Sequence, residues 1–184
     1  GNRKMHLDLS GERHPGEPMI LLETGMGSWS FHWRFVQPAL SQFARVCSYD
    51  RLGLGWSNGA TASRRSQQIA VELHDALDAI GEHGPYLLVG HSLGGIFIRQ
   101  FARMFPGEIC GMVLVDSAHE DQIERMPWAR DEVKNIKVSF FLLDLLHRVG
   151  ILRLLGKSLL GNFTSLSTEE EKRAHEKEWH TLLQ

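Results

Sequence analysis

Residues 86–95 read YLLVGHSLGG and predict a strand, a sharp turn and the start of a helix in direct succession. The apolar run Tyr86–Val89 is typical of a buried strand. The turn carries the G-x-S-x-G pattern with Ser92 at its centre, where the backbone is strained and the hydroxyl is exposed. Gly90 and Gly94 fit this turn because a Cβ atom there would collide with the neighbouring strand and helix. The stretch, whose residues 90–94 we call the elbow, therefore predicts a serine nucleophile.

Strands and helices alternate on both sides of the elbow. The predicted strands are short and mostly apolar: Lys4–Leu9 at an edge, Met19–Leu22, Arg45–Tyr49, Tyr86–Val89 and Gly111–Val115. The predicted helices run from Ser28 or Ser30 to about Phe43 with Pro38 dividing the helix, from Thr61 or Ser63 to Gly84, and from the elbow to Pro106. Because strands that are apolar throughout are covered on both faces, this alternation predicts an α/β fold, a mostly parallel sheet with helices on both faces.

The alternation ends near Ala118. The leucine-rich stretch 138–160 is interrupted by charged residues such as Asp144 and Arg153, which argues against a membrane span and favours amphipathic helices. We therefore predict two parts, an α/β core over residues 1–118 and a helical segment over residues 119–184.

Composition limits the classes of partner. The chain has 184 residues, 42% of them hydrophobic and 23% charged, and its net charge is −2. These values fit a globular protein and disfavour nucleic acid or an anionic membrane as the main partner. The two cysteines, Cys47 and Cys110, lie in or beside predicted strands and lack the spacing of a metal site. They are therefore predicted to be buried free thiols.

Four motifs in order make the chain resemble the α/β-hydrolase superfamily over about residues 1–118. They are LLETGMG at residues 21–27, YDRLGLGWS at residues 49–57, the elbow, and VLVDS at residues 113–117. The second motif is similar to the D-R-x-G-x-G-x-S stretch of that family, and the first resembles the loop after its third strand. The resemblance implies that the core holds strands 2 to 6 of the fold, an incomplete set, and that residues 119–184 form part of a helical cap.

The resemblance also implies roles for particular residues. Ser92 would be the nucleophile, which a histidine activates by taking its proton. The backbone N–H groups of Met26 and Leu93 would stabilise the oxyanion. Asp50 and Arg51 would hold loops in place rather than take part in the chemistry. No cofactor and no metal is implied, and the expected substrate is a small acyl compound such as a carboxylic ester, attacked to form an acyl-enzyme.

The catalytic residues of this family follow the chain order serine, then Asp or Glu, then histidine. The histidine and the usual acid are expected beyond residue 184, so the chain is interpreted as an inactive piece of a longer enzyme. Asp116, after the sixth strand of the family fold, is an alternative acid, and His119 is an alternative base. His91 is interpreted as a packing residue, since successive side chains of a strand point to opposite sides. Thr24 stands where the family commonly has histidine, which changes how the loop is supported.

Two other functions stay open at this point. Gly25, Gly27 and Ser30, followed by Asp50 at the end of the next strand, imitate a dinucleotide-binding unit. This interpretation lacks the third glycine of the motif and leaves residues 51–57 unexplained. The superfamily also contains members that lost catalysis and act as binding proteins. The intact elbow argues against that alternative, whereas a missing catalytic histidine argues for it.

Overall fold

A computed structural model describes residues 4–60 and 64–126, together with residues 128, 134, 135, 138, 139, 141, 142, 145 and 146. The chain divides into two compact units, residues 1–120 and 121–184. The sheet lies in the first unit. The second unit starts with Asp121, and most of the predicted cap lies outside the described residues. The division into a core and a cap therefore stays a prediction.

The described strands form one five-stranded sheet in the order β1-β3-β2-β4-β5. The strands are β1 (Leu7–Ser10), β2 (Met19–Glu23), β3 (Val46–Tyr49), β4 (Tyr86–His91) and β5 (Ile109–Val115). The first strand runs antiparallel to β3, and every other pair is parallel. The predicted fold class, a mostly parallel sheet in an α/β protein, is confirmed. Because β4 lies between β2 and β5, its carboxyl end is flanked by the loops that follow both neighbours.

The described helices are α1 (Gln37–Leu40), α2 (Ser66–Ala79), α3 (Gly94–Met104) and α4 (Gln122–Arg125), with 3-10 turns at Ser30–Trp33 and Pro106–Glu108. The predicted helix that ends near Phe43 is divided into a 3-10 turn and α1, with Pro38 in the first turn of α1, where proline fits. The helix predicted to reach Gly84 stops at Ala79, because Gly81 takes a φ of 75°, a left-handed conformation that ends helices. Among the described residues, no helix is long and apolar enough to cross a membrane.

Both faces of the central strand β2 are buried. Met19 and Leu21 pack in a cluster with residues of α2 and α3, whereas Ile20 and Leu22 pack with Trp33 on the other face. This alternation follows from the two-residue period of a strand. The prediction that Gly111–Val115 is buried throughout is wrong for its last part, since Val113, Leu114 and Val115 are 45%, 48% and 40% exposed. Within the described sheet β5 pairs with β4 alone, so its outer side has no neighbouring strand.

The two cysteines are free thiols in different environments. Cys47 is buried in β3, whereas Cys110 is exposed on the edge strand β5, so the prediction of two buried thiols is wrong for Cys110. Two strands, β2 and β4, separate them in the sheet. Burial, together with the nearby carboxylates of Asp8 and Glu82, raises the pKa of the Cys47 thiol to about 12.

This difference predicts selective alkylation of the native protein. Iodoacetamide at neutral to mildly alkaline pH should modify Cys110 and leave Cys47 unmodified, because the reactive species is the accessible thiolate. After unfolding in urea, both thiols should react. Peptide mass spectrometry of native and unfolded samples measures both sites, and equal modification of the two cysteines in the native protein would contradict the expected burial of Cys47.

Candidate active site

Ser92 lies where β4 ends and α3 begins, in a backbone conformation that is unfavourable for serine. Its φ is 52°, one of two positive values among the described non-glycine residues. Such a left-handed conformation costs about 1–2 kcal/mol and persists only where the surroundings enforce it. Here the Ser92 N–H donates to the Val115 carbonyl at 3.1 Å, and the Ser92 carbonyl accepts from the Ala118 N–H at 2.9 Å. The end of β5 and the residues after it therefore hold the elbow in its strained form.

The glycines of the elbow allow the close approach that the sequence predicts. A Cβ atom on Gly90 would lie 2.9 Å from the backbone N and Cα of Gly95 in α3. A Cβ atom on Gly94 would lie 2.7 Å from the carbonyl oxygens of both Glu23 and Thr24, which end β2 and begin the next loop. Heavy atoms cannot pack at these distances, so only glycine permits this contact between the elbow, α3 and β2.

The loop at residues 24–28, which we call the β2 loop, brings Met26 into the neighbourhood of the elbow. A Cβ atom on Gly25 would lie 3.2 Å from Cβ and 3.6 Å from Oγ of Ser92. Leu93, next to Ser92, is the N-cap residue of α3. Met26 and Leu93 also line the same cavity of about 520 Å³. The structure therefore gathers the three predicted site residues, Ser92, Met26 and Leu93, at one edge of the sheet.

The cavity beside Met26 and Leu93 has a largely apolar lining. Its walls come from the β2 loop, the loop after β3, α2 and α3, and its lining residues are Met26, Gly27, Arg51, Leu52, Gly53, Leu54, Ala60, Arg64, Ile69, Leu93 and Phe97. An apolar cleft with a few polar groups is typical of a small-molecule site.

Arg51 holds the β2 loop from the side of β3. Its side chain is buried, and its guanidinium donates to the carbonyl oxygens of Thr24 at 2.9 Å and Gly25 at 2.6 Å. The same group donates to the carboxylate of Glu23 and lies 5.1 Å from the ring centre of Phe97. These contacts support the prediction that Arg51 keeps a loop in place.

Glu23 is a buried carboxylate that the sequence analysis did not single out. It is 2% exposed at the end of β2, where it accepts hydrogen bonds from the Tyr49 hydroxyl and Arg51. Burial raises the pKa of Glu23, and the charge of Arg51 opposes that rise. Burial and the nearby Glu23 raise the pKa of Tyr49 well above its ordinary value, so its hydroxyl stays a donor. The signal in the sequence was a carboxylate at the end of the apolar run MILLE, since a buried glutamate is rare without a partner.

Asp50 ties the glycine-rich loop after β3 to the 3-10 turn. One carboxylate oxygen accepts from the Ser30 N–H at 2.8 Å, and the other accepts from the Trp56 N–H at 2.8 Å. Gly55 takes a φ of 52°, and a Cβ atom there would lie 2.2 Å from Oδ2 of Asp50. The side chain is fully buried and accepts from two backbone donors, with Nδ1 of His6 3.3 Å from Oδ2, and these contacts support the predicted structural role.

Comparison with known proteins decides the family. A family model described as alpha/beta hydrolase fold matches residues 17–145. The chain belongs to the alpha/beta hydrolase fold family. The predicted resemblance is confirmed, and the order of the strands in the sheet and the position of the elbow between β4 and α3 agree with it.

Named relatives of this alpha/beta hydrolase chain are longer than the matched region. A protein of Hormonema carpetanum named as the transporter efuK is 39% identical over 134 residues, which are 69% of this chain and 19% of that protein. A protein of Stutzerimonas stutzeri (strain A1501) named as the carbamate hydrolase RutD is 33% identical over 114 residues, 61% of this chain and 43% of that protein. The structure of Est816, an N-acyl homoserine lactone degrading enzyme, is 22% identical with a TM-score of 0.63, covering 76% of this chain and 52% of its own, and shows the shared fold. The chain therefore spans between 19% and 52% of the length of these proteins.

His91 lies closer to Ser92 in this alpha/beta hydrolase chain than the alternation of a strand predicts. A Cβ atom on Gly25 would lie 3.4 Å from Nδ1 of His91 and 3.6 Å from Oγ of Ser92, so both side chains border the same glycine. The left-handed turn at Ser92 breaks the strand alternation on which the prediction rested. His91 stacks on His32 with ring centres 4.9 Å apart. Burial is the largest cause that lowers the pKa of His32, and the charges of His91 and Arg34 lower it further.

Asp116 and His119, the alternative acid and base, both lie after β5. Asp116 directly follows Val115, whose carbonyl accepts from Ser92, and it has the second positive φ among the described non-glycine residues, 41°. This places the backbone of Asp116 one residue after the carbonyl that accepts from Ser92. The side chain of His119 is 58% exposed, with Nε2 3.8 Å from the carboxylate of Glu120. Described histidines that lie beside a carboxylate are His6, His74, His83 and His119. The catalytic histidine that the sequence analysis expects beyond residue 184 stays a prediction.

Proposed function

We propose that the protein is a serine hydrolase that acts on carboxylic esters or related acyl compounds through an acyl-enzyme. The observation that carries this proposal is the strained Ser92 at the carboxyl end of β4, with its Oγ close to Gly25 of the β2 loop. A strained residue of this kind marks a site whose geometry is enforced by its surroundings. The nearby cavity supports the proposal because it gives an acyl or alcohol group an apolar place to bind.

In the proposed mechanism the Ser92 oxygen attacks the carbonyl carbon of the substrate while a histidine takes the hydroxyl proton. The carbonyl oxygen then carries negative charge, and the backbone N–H groups of Met26 and Leu93 donate to it. Collapse of the tetrahedral intermediate expels the leaving group, which takes the proton from the histidine and leaves an acyl-enzyme at Ser92. Water, deprotonated by the same histidine, attacks the acyl carbon and releases the acid. By the family order, the histidine follows Ser92 in the chain.

The names of two similar proteins support this class of reaction. A carbamate and an N-acyl homoserine lactone, named for RutD and Est816, each contain a carbonyl carbon bonded to a heteroatom. A serine nucleophile with backbone oxyanion donors suits attack at such a carbon. The acyl group and the leaving group of the substrate depend on pocket shape, so the proposal extends to the acyl class and not to one compound.

A fluorophosphonate probe tests the proposal on the full-length gene product. Such a probe phosphonylates an activated serine, so one adduct per chain is expected, on the peptide that carries Ser92. Prior unfolding should prevent the reaction, since activation depends on the folded site. An adduct on another serine would contradict the proposed role of Ser92. If a folded sample gave no adduct, the proposal would be wrong, and a binding protein that kept the elbow without catalysis would be favoured.

A further inference from the structure

The peptide group between Gly25 and Met26 has two polar parts, a carbonyl oxygen and an N–H. In the proposed mechanism each of them has a hydrogen-bond partner. Its carbonyl oxygen, on Gly25, accepts from Nη2 of Arg51 at 2.6 Å. Its N–H, on Met26, is the proposed oxyanion donor. In a trans peptide the C=O and N–H point in opposite directions. Because Arg51 fixes the direction of the carbonyl, it also fixes the direction of the Met26 N–H.

The charge of Arg51 also affects the strength of this donor. A hydrogen bond from a charged group is stronger than one between neutral groups. Hydrogen bonds in a chain polarise each other, so a guanidinium on the carbonyl side makes the N–H on the other side a better donor. The direction and the strength of the Met26 N–H therefore both depend on where the Arg51 guanidinium sits.

Glu23 sets the position of that guanidinium. Its carboxylate accepts from Nη1 of Arg51 through one oxygen and from the Tyr49 hydroxyl through the other. The side chain is 2% exposed, so no water competes for these contacts. Its backbone is fixed as well, since Glu23 pairs with Gly90 of the elbow strand in the sheet. Glu23 therefore connects the elbow strand, through its backbone, to Arg51, through its side chain.

We propose that Glu23 is a positioning residue for the oxyanion site, acting through Arg51 on the peptide group that carries the Met26 N–H. The proposal rests on the proposed function, because the Met26 N–H is an oxyanion donor only in a serine hydrolase. Glu23 lies behind the β2 loop and is 2% exposed, so its role would be indirect. Its effect is expected on the transition state, where the oxyanion forms, and not on binding of the ground-state ester.

Glu23→Gln tests this in the full-length gene product, because glutamine keeps the length of the side chain and an oxygen for Tyr49 but removes the negative charge that holds Arg51. Loss of a whole oxyanion donor costs about 10²–10³-fold in kcat, so weakening one donor should lower kcat about tenfold. KM should stay within about twofold, as expected for an interaction made only in the transition state. The matched control is Glu82→Gln, which removes the carboxylate that Arg45 contacts at 2.8 Å at the other end of β4.

A second measurement, on the same samples, does not depend on activity. With ¹⁵N-methionine labelling, the amide signal of Met26 is assigned by its loss in Met26→Leu. Glu23→Gln should shift this signal, whereas Glu82→Gln should leave it in place.

An unchanged Met26 amide signal in Glu23→Gln overturns the proposal, and so does a kcat within twofold of the wild type in an active enzyme. A rise in KM that accompanies the loss in kcat also overturns it, since that is the pattern of general disruption. If the wild type shows neither turnover nor labelling of Ser92, the proposed function fails, and the amide measurement still decides whether Glu23 orients the peptide group.

Discussion

Ser92→Ala should lower the kcat of the full-length gene product by about 10⁴- to 10⁶-fold, as loss of the nucleophile does in serine hydrolases. The reason is that the acyl-enzyme cannot form without the Ser92 oxygen, whatever donors stabilise the oxyanion. Hydrolysis of a 4-nitrophenyl ester, measured with purified wild type and variant, checks the prediction. Turnover by the variant within about a hundredfold of the wild type would show that another group performs the chemistry.

Two further variants separate this loss from damage to the fold. Ser117→Ala removes a neighbouring hydroxyl that donates to the Ala118 carbonyl at 2.8 Å, and it should keep turnover close to the wild-type rate. Ser92→Gly should be as inactive as Ser92→Ala, yet about 1 kcal/mol more stable than it, because glycine accepts a positive φ without the cost that a Cβ atom brings. Urea unfolding measures that difference. Equal stability of the two variants would contradict the strain that a φ of 52° implies at Ser92.

The elbow and the parallel sheet could be predicted because their signals are local. A strand, a turn with two glycines and a helix stand next to each other in the sequence, which makes the elbow recognisable. The contact of Gly94 with Glu23 and Thr24 is not local, and the pattern alone does not show it. The expectation that Met26 lies near Ser92 came from the resemblance to the family. The exposure of Cys110 could not be predicted in this way, because it depends on what packs against β5, which the residue pattern of one strand does not show.

Of the hydrogen-bond network formed by Glu23, Tyr49 and Arg51 behind the β2 loop, only the role of Arg51 could be predicted. Arg51 belongs to a recognisable motif, so a role in holding a loop could be inferred from it. Its partner Glu23 lies 28 residues earlier in the chain, and Tyr49 contacts the same carboxylate from β3. Sequence shows three polar residues beside apolar runs, and only the register of β2 against β3 and β4 brings them together.

Arg51→Met should be the most destabilising single change in this network. It leaves the carboxylate of Glu23 buried without its counter-charge, and breaking one partner of a buried ion pair costs about 3–5 kcal/mol. The variant also loses the hydrogen bonds to the Thr24 and Gly25 carbonyls. Arg45→Met is a control of similar size. It should cost less because Glu82, the partner of Arg45, keeps a second ion pair with Arg13 at 3.2 Å and is 14% exposed, whereas Glu23 is 2% exposed.

The loss in Arg51→Met should depend on pH in a direction set by Glu23. Burial already raises the pKa of Glu23 above its ordinary value of 4.5, and removal of Arg51 removes the main charge that opposes the rise. A carboxyl whose pKa is raised on folding favours the folded state while it is protonated, and this contribution disappears as the pH rises through the raised pKa. The unfolding free energy of the variant, relative to the wild type, should therefore be highest below about pH 4.5 and fall towards neutral pH.

Adding Glu23→Gln to Arg51→Met should recover about 2 kcal/mol at pH 7 and abolish the pH dependence, because the buried charge is gone. Urea unfolding at several pH values measures both effects, and a double variant no more stable than Arg51→Met would show that lost loop hydrogen bonds, not an unpaired carboxylate, cause the instability.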